Sequence, residues 1–154
     1  MDSPFCEGKA TLIEKKTIIP YRKENFEIIR HLYRCDQTGI EFSTEEQDEE
    51  AVNKIYDAYR KKHGIPTPQV IKALREQYGL SASKMSLILG FGINQYHNYE
   101  IGEMPSLSNA KLILAAMNPE FFKTLILLVK NDLGEKTFNH LKELNSSSTS
   151  GVVI

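Results

Sequence analysis

Apolar positions along the chain change period three times, and each change marks a different kind of element. From Ala10 to Phe42 they alternate as in strands, with Leu12 and Ile18-Ile19, then Phe26, Ile28 and Leu32-Tyr33, then the short Ile40-Glu41-Phe42. The turn between the first two falls in Pro20–Asn25, and a small antiparallel sheet is expected. From Glu45 to Lys62 the spacing becomes helical, after Ser43-Thr44 as N-cap, and Val52, Ile55, Tyr56 and Tyr59 form the stripe to bury. Its first turns are acidic and its last turn is basic, a gradient that complements the helix dipole and asks for no functional explanation. Gly64-Ile65-Pro66-Thr67-Pro68 then breaks the chain into a linker.

Beyond the linker, the most informative run is Leu80 to Glu103. Leu80 precedes Ser81, an N-cap residue, and Met85, Ile88 and Leu89 recur on one helical face. Gly90-Phe91-Gly92 stops that helix, because glycine takes the left-handed conformation that a close helix-to-helix corner needs. A second helix is expected over Ile93–Ile101. Ile93, Tyr96 and Tyr99 or Glu100 would pack inward, leaving Asn94, Gln95, His97 and Asn98 projecting together. Asn and Gln amides can bond bidentately to adenine in the major groove, and His97 can donate to a phosphate or a base acceptor. Ser83 and Lys84 begin the preceding helix, where this kind of helix pair crosses the phosphate backbone, and Arg75 is a weaker candidate to flank them.

These residues resemble the helix-turn-helix of Xre/Cro-type repressors and, more closely, the C-terminal half of MqsA/YgiT-type antitoxins. The likeness runs over about Pro68 to Leu125. It rests on Leu80-Ser81, the Leu89-Gly90 corner, Tyr99-Glu100-x-Gly102 and the Pro105-Ser106 start of the next helix. In that family an Asn early in the recognition helix and an Arg four residues later touch bases; the matching positions are Asn94 and Asn98, so the Arg is absent. Without its guanidinium fork, an adenine-biased site replaces a guanine contact. Ser3-x-x-Cys6 and Cys35-x-x-Thr38 look like the family's two zinc knuckles with one cysteine of each replaced. Hydroxyls are poor structural zinc ligands, so no metal and no cofactor is expected, and packing of Phe5, Leu12, Tyr33 and Phe42 would stand in its place. The family geometry would bring Cys6 near Cys35, which leaves a disulfide open; a reducing cytoplasm, expected because MDSPFC has no leader-like character, favours free thiols.

The expected fold class is therefore α+β: a small antiparallel β module over 1–44, a helix and linker over 45–67, and an all-α, lambda-repressor-like helix-turn-helix domain over 68–144. A polar, Ser-rich tail over 145–154 is expected to be disordered. Charge adds little, with 19 Lys and Arg against 20 Asp and Glu, although residues 68–131 carry six basic against four acidic side chains. The recognition helix itself has no Lys or Arg, so a single copy would grip DNA weakly and a homodimer reading an inverted repeat is expected. The apolar stretch from Phe121 to Leu133 offers more surface than one helix face needs and would supply both core and dimer contact; its charges rule out a membrane span. No nucleophile-and-base arrangement or phosphate-cradling loop points to an enzyme. The reading is a cytoplasmic repressor of antitoxin type, binding double-stranded DNA and, by resemblance alone, a toxin through the N-terminal module. The competing class is a protein-interaction module that keeps the helix pair as scaffold.

Overall fold

The structure, a computed structural model, describes residues 1–147, with side chains through residue 144. The chain divides into two compact units, Met1–Lys62 and the remainder from His63. Of the tail expected over 145–154, residues 145–147 end the last helix and the rest lies outside the described residues.

In the first unit, β1 (Ala10–Tyr21) and β2 (Glu24–Cys35) form one long antiparallel ladder, registered from Ala10↔Cys35 to Tyr21↔Glu24. A short β3 (Glu41–Phe42) adds to the other side of β2, giving the order β1-β2-β3. The turn is tighter than the sequence suggests, only Arg22 and Lys23, both at positive φ. That is the twist-matching conformation of a two-residue hairpin, reached here without glycine. Alternation sends Phe26, Ile28 and Leu32 to the buried face of β2.

The helix that accompanies this face is α1 (Glu45–His63). Thr44 and Gln47 cap it reciprocally, each side-chain oxygen accepting the other's backbone N–H at 3.2 and 3.0 Å. Its buried stripe is Gln47, Ala51, Ile55 and Tyr59. Val52 is 43% exposed and Tyr56 half-buried, so the stripe is rotated from the one expected. Tyr59 meets Tyr21 edge-on at 5.0 Å and Phe26 at 6.0 Å, fixing the helix to the sheet.

Among its described residues the second unit is all helical: α2 (Pro68–Gln77), α3 (Ala82–Leu89), α4 (Gln95–Glu100), α5 (Leu107–Ala116), α6 (Pro119–Leu128), α7 (Lys130–Leu133) and α8 (Glu135–Ser147). The sequence writes the starts of α2, α3, α5 and α6 as side-chain caps: Thr67, Ser81, Ser106 and Asn118 each accept a first-turn N–H. Around Met85, Tyr96, Ile113, Phe122 and Leu141, all fully buried, the helices close one core. The Phe121–Leu133 stretch is split between roles: Phe122, Ile126 and Leu133 are buried, whereas Leu127 and Leu128 are 54% and 76% exposed. Among the described residues no helix is long and apolar enough to cross a membrane. The whole is an α+β protein, a small antiparallel sheet followed by helices.

Candidate nucleic-acid interface

The corner between α3 and α4 is built as the glycine spacing requires. Gly90 caps α3 at φ 77°, in the left-handed region. The Phe91 N–H then turns back to the Ser86 carbonyl at 2.8 Å. Ser86, completely buried, adds a bond across the corner, its hydroxyl accepting the backbone N–H of Tyr96 at 3.0 Å. This satisfies one of the donors that a short helix leaves open at its N-terminus.

Three side chains then hold α4 to the core. Tyr96 is buried and its hydroxyl donates to the Ile71 carbonyl at 2.5 Å; burial pushes the phenol well above its ordinary range, so it stays a neutral donor. One turn on, Tyr99 accepts from the Asn109 amide at 2.8 Å and meets Phe91 edge-on. Glu100, the last residue of α4, receives the Arg75 guanidinium from α2, and Arg75 also donates to the Leu80 carbonyl at 3.3 Å. Arg75 is thus a clasp inside the domain. This corrects its assignment as a flank of the phosphate backbone: the carboxylate of Glu100, 4% exposed, is a closer and drier partner than solvent-side phosphate.

With Tyr96, Tyr99 and Glu100 turned in, helical geometry fixes what is turned out. Asn94 and His97 are exposed, one turn apart, as expected. Asn98 is half-buried at the edge of that face. Gln95 is also half-buried, and its amide donates to the Glu103 carboxylate rather than standing free. The helix is shorter than the expected Ile93–Ile101, because Asn94 occupies the N-cap and Ile101 the C-cap. Ile93 therefore precedes the first turn. It is 72% exposed, which corrects its placement in the core. The outward stripe thus reads Ile93, Asn94, His97 and Ile101, the last 70% exposed.

At the start of α3, Ser83 is exposed, with its hydroxyl 3.2 Å from that of Ser81, and Ser81 caps the N–H of Lys84. The Lys84 ammonium reaches the Leu133 carbonyl at 3.3 Å, by the C-terminus of α7. The sequence reading missed the Arg75–Glu100 clasp and the outward Ile93. Nothing in the letters links positions 25 residues apart, and Ile93 lies three residues before Tyr96, a spacing that reads as inward only if the helix already includes it.

The two knuckle-like turns meet in the first unit. Cys6 and Cys35 are free thiols with Sγ atoms 2.9 Å apart. Each of the four knuckle positions accepts a nearby backbone N–H: Ser3 from Phe5, Cys6 from Gly8, Cys35 from Thr38 and Thr38 from Ile40. Among the described residues no group of three or more His, Cys, Asp and Glu side chains is placed to hold a metal ion. Packing beside the turns is aromatic, with Phe5 and Tyr33 against Phe42 at 5.4 and 5.8 Å. Leu12, on the edge strand, is 56% exposed and takes no core role there, contrary to expectation.

Comparison with known families gives one match: a helix-turn-helix family model covers residues 71–120, from within α2 to the first turn of α6, about a third of the chain. The matched stretch is a helix-turn-helix of the Xre/Cro kind. No curated protein matches the chain.

Proposed function

We propose that the chain is a sequence-specific transcriptional regulator that seats α4 in the major groove of double-stranded DNA. The observation that carries this reading is the division of α4 and its N-terminal approach: Tyr96, Tyr99 and Glu100 are bonded into the domain, while Ile93 and Asn94 before the helix and His97 within it are left outward behind a left-handed glycine corner. Asn94 and Asn98 offer adenine a paired donor and acceptor, and His97 a donor. Ile93 adds an apolar tip suited to a thymine methyl group. Gln95 joins the reading set by exchanging the Glu103 carboxylate for a base, and Lys84 reaches phosphate by exchanging the Leu133 carbonyl. Ser83 supplies a phosphate hydroxyl at the start of α3.

So few free cations support only a weak grip by one copy, and a homodimer on two half-sites supplies the rest. Exposed Leu127 and Leu128 are the apolar surface proposed for that contact. A role on DNA places the protein in the cytoplasm. Resemblance of the paired knuckles and the helix pair to antitoxins supports the finer reading: autorepression of a toxin-antitoxin operon, with the N-terminal module holding the toxin.

A second reading, a protein-interaction module without DNA binding, is favoured by one observation: Arg75, bonded to the end of α4, and Lys84, in the first turn of α3, are engaged inside the domain. One experiment separates the two. Fluorescence anisotropy with the duplex upstream of the chain's own gene, at about 50 and about 200 mM salt, is expected to show binding that weakens with salt. The pair Asn94→Ala with Asn98→Ala is expected to cut preference over random duplex about tenfold or more. No binding at the lower salt, or preference that survives the double change, overturns the proposal. Gel filtration with light scattering tests the dimer, and co-expression with the product of an adjacent toxic reading frame tests the antitoxin role.

A further inference from the structure

We propose that Cys6 and Cys35 are a redox modification site, closing to an intrachain disulfide when a hydroperoxide reaches them and reopening on reduction. The geometry is already close to that of the bond. The two sulfurs stand 2.9 Å apart, roughly an ångström more than a covalent S–S length. The backbones that carry them are tied together on either side of the pair. Asp36 donates to the Lys9 carbonyl at 3.0 Å, Ala10 donates to that of Met1 at 2.8 Å, and Ala10 registers directly opposite Cys35 in the ladder. Backbone N–H groups of Gly8 and Thr38 point at Cys6 and Cys35 respectively, holding both sulfurs in place.

The two thiols have different environments, and this assigns their roles. Cys6 is partly exposed, whereas Cys35 is 1% exposed, so an oxidant in solvent meets Cys6. Hydrogen bonds from Cys6, Ser3 and Thr38 lower the Cys35 thiol to about 6, which keeps it a thiolate near neutral pH. In the first step Cys6 passes its proton across the 2.9 Å contact to the Cys35 thiolate and, itself now a thiolate, attacks one oxygen of hydrogen peroxide, and the O–O bond breaks. The departing hydroxide takes that proton from Cys35 and leaves as water, and Cys6 becomes a sulfenic acid. In the second step the Cys35 thiolate attacks the Cys6 sulfur, the S–S bond forms, and the expelled hydroxide takes up the proton that Cys35 had released. Two thiols and one peroxide thus give one disulfide and two waters, the sulfurs losing two electrons to the peroxide.

The closed form would staple the N-terminal turn to the end of β2, where hydroxyls now occupy the other two positions of the cluster. Full-length protein, reduced, freed of reductant and treated with a small excess of hydrogen peroxide, tests this. The intact mass is expected to fall by two hydrogens, with residues 6 and 35 joined in one non-reduced peptide and both thiols restored by dithiothreitol. Cys6→Ser is expected to lose the bond while keeping the far-ultraviolet spectrum of the parent, and Cys35→Ala to do the same. Three results overturn the proposal: both thiols still alkylated after peroxide, cross-links only between chains, or a stoichiometric metal ion in the purified protein that blocks oxidation.

Discussion

Arg75 donates through Nε to both carboxylate oxygens of Glu100, at 3.0 and 2.9 Å, and so ties the last turn of the domain's first helix to the last residue of its outward-reading one. The Glu100 side chain is 4% exposed and that of Arg75 22% exposed. Charges this far out of water are costly to leave single, whereas a well-packed apolar pair in their place costs little. The contact therefore sets position more than it adds stability.

From this, Arg75→Met is expected to destabilise the helical unit by about 2–4 kcal/mol, since it strands the Glu100 carboxylate with no cation. Adding Glu100→Leu to it is expected to recover most of that loss, a coupling readable by urea unfolding of both singles and the double. If the two changes simply add, the carboxylate was never dependent on Arg75 and the clasp is a surface contact.

How far this arrangement can be read from the letters depends on whether an element is specified locally. Ser81, Met85, Ile88, Leu89 and Gly90 lie within ten residues and fix α3 and its corner through capping, period and a positive φ, so the helix pair was legible. Ile93 was misplaced because an apolar residue three positions before Tyr96 fits a helical stripe, yet the chain at Asn94 is still the cap and Ile93 precedes it. In α1 the error came from side-chain size. Val52 looks the better core residue than Ala51, but the reciprocal Thr44–Gln47 cap sets the rotation, and Gln47, Ala51, Ile55 and Tyr59 then fall four apart on the buried side. The clasp joins residues 25 apart, so only the folded chain brings them together, whereas the meeting of Cys6 with Cys35, 29 apart, is legible only through the resemblance of their turns to paired knuckles.

A second prediction concerns pH and the first unit. His31 Nδ1 lies 2.7 Å from the Glu50 carboxylate and Nε2 lies 3.3 Å from that of Glu14. Hydrogen bonds to Glu50 and then Glu14 raise the imidazole above its ordinary 6.5, against smaller opposing effects of desolvation and then Lys54. Glu50 moves the other way, lowered from 4.5 by Lys54 and then His31. For a raised histidine, the contribution is full below the unfolded value and is lost as pH climbs through the folded one. For a depressed carboxylate, it is full above the unfolded value and is lost as pH falls through the folded one. Both contributions are therefore complete between about 4.5 and about 6.5. The difference in thermal midpoint between the parent and His31→Gln is expected to be largest in that window and to shrink above it. The ring-proton titration of His31 by NMR should show a midpoint above 6.5; one at or below 6.5 refutes the assignment.

The hairpin turn gives the last. Arg22 and Lys23 sit at φ 48° and 65°, where a residue with a β-carbon pays roughly 1–2 kcal/mol for left-handed backbone. The two are not equivalent. The Arg22 guanidinium lies 5.6 Å from the Tyr21 ring and 5.4 Å from the Tyr59 ring, a pair of cation–π contacts that offsets its strain. No aromatic ring faces the Lys23 ammonium among the described contacts, so removing its side chain sacrifices less. Lys23→Gly is expected to stabilise the sheet module by about 1 kcal/mol, after the extra entropy that glycine loses on folding is set against the strain relieved. Arg22→Gly, which relieves similar strain but gives up the ring contacts, is expected to gain nothing or to lose. Lys23→Val should destabilise, because a β-branched side chain is least tolerant of positive φ. Denaturant midpoints of the three variants rank these outcomes, and a Lys23→Gly protein less stable than the parent would show that the turn is not strained at that residue.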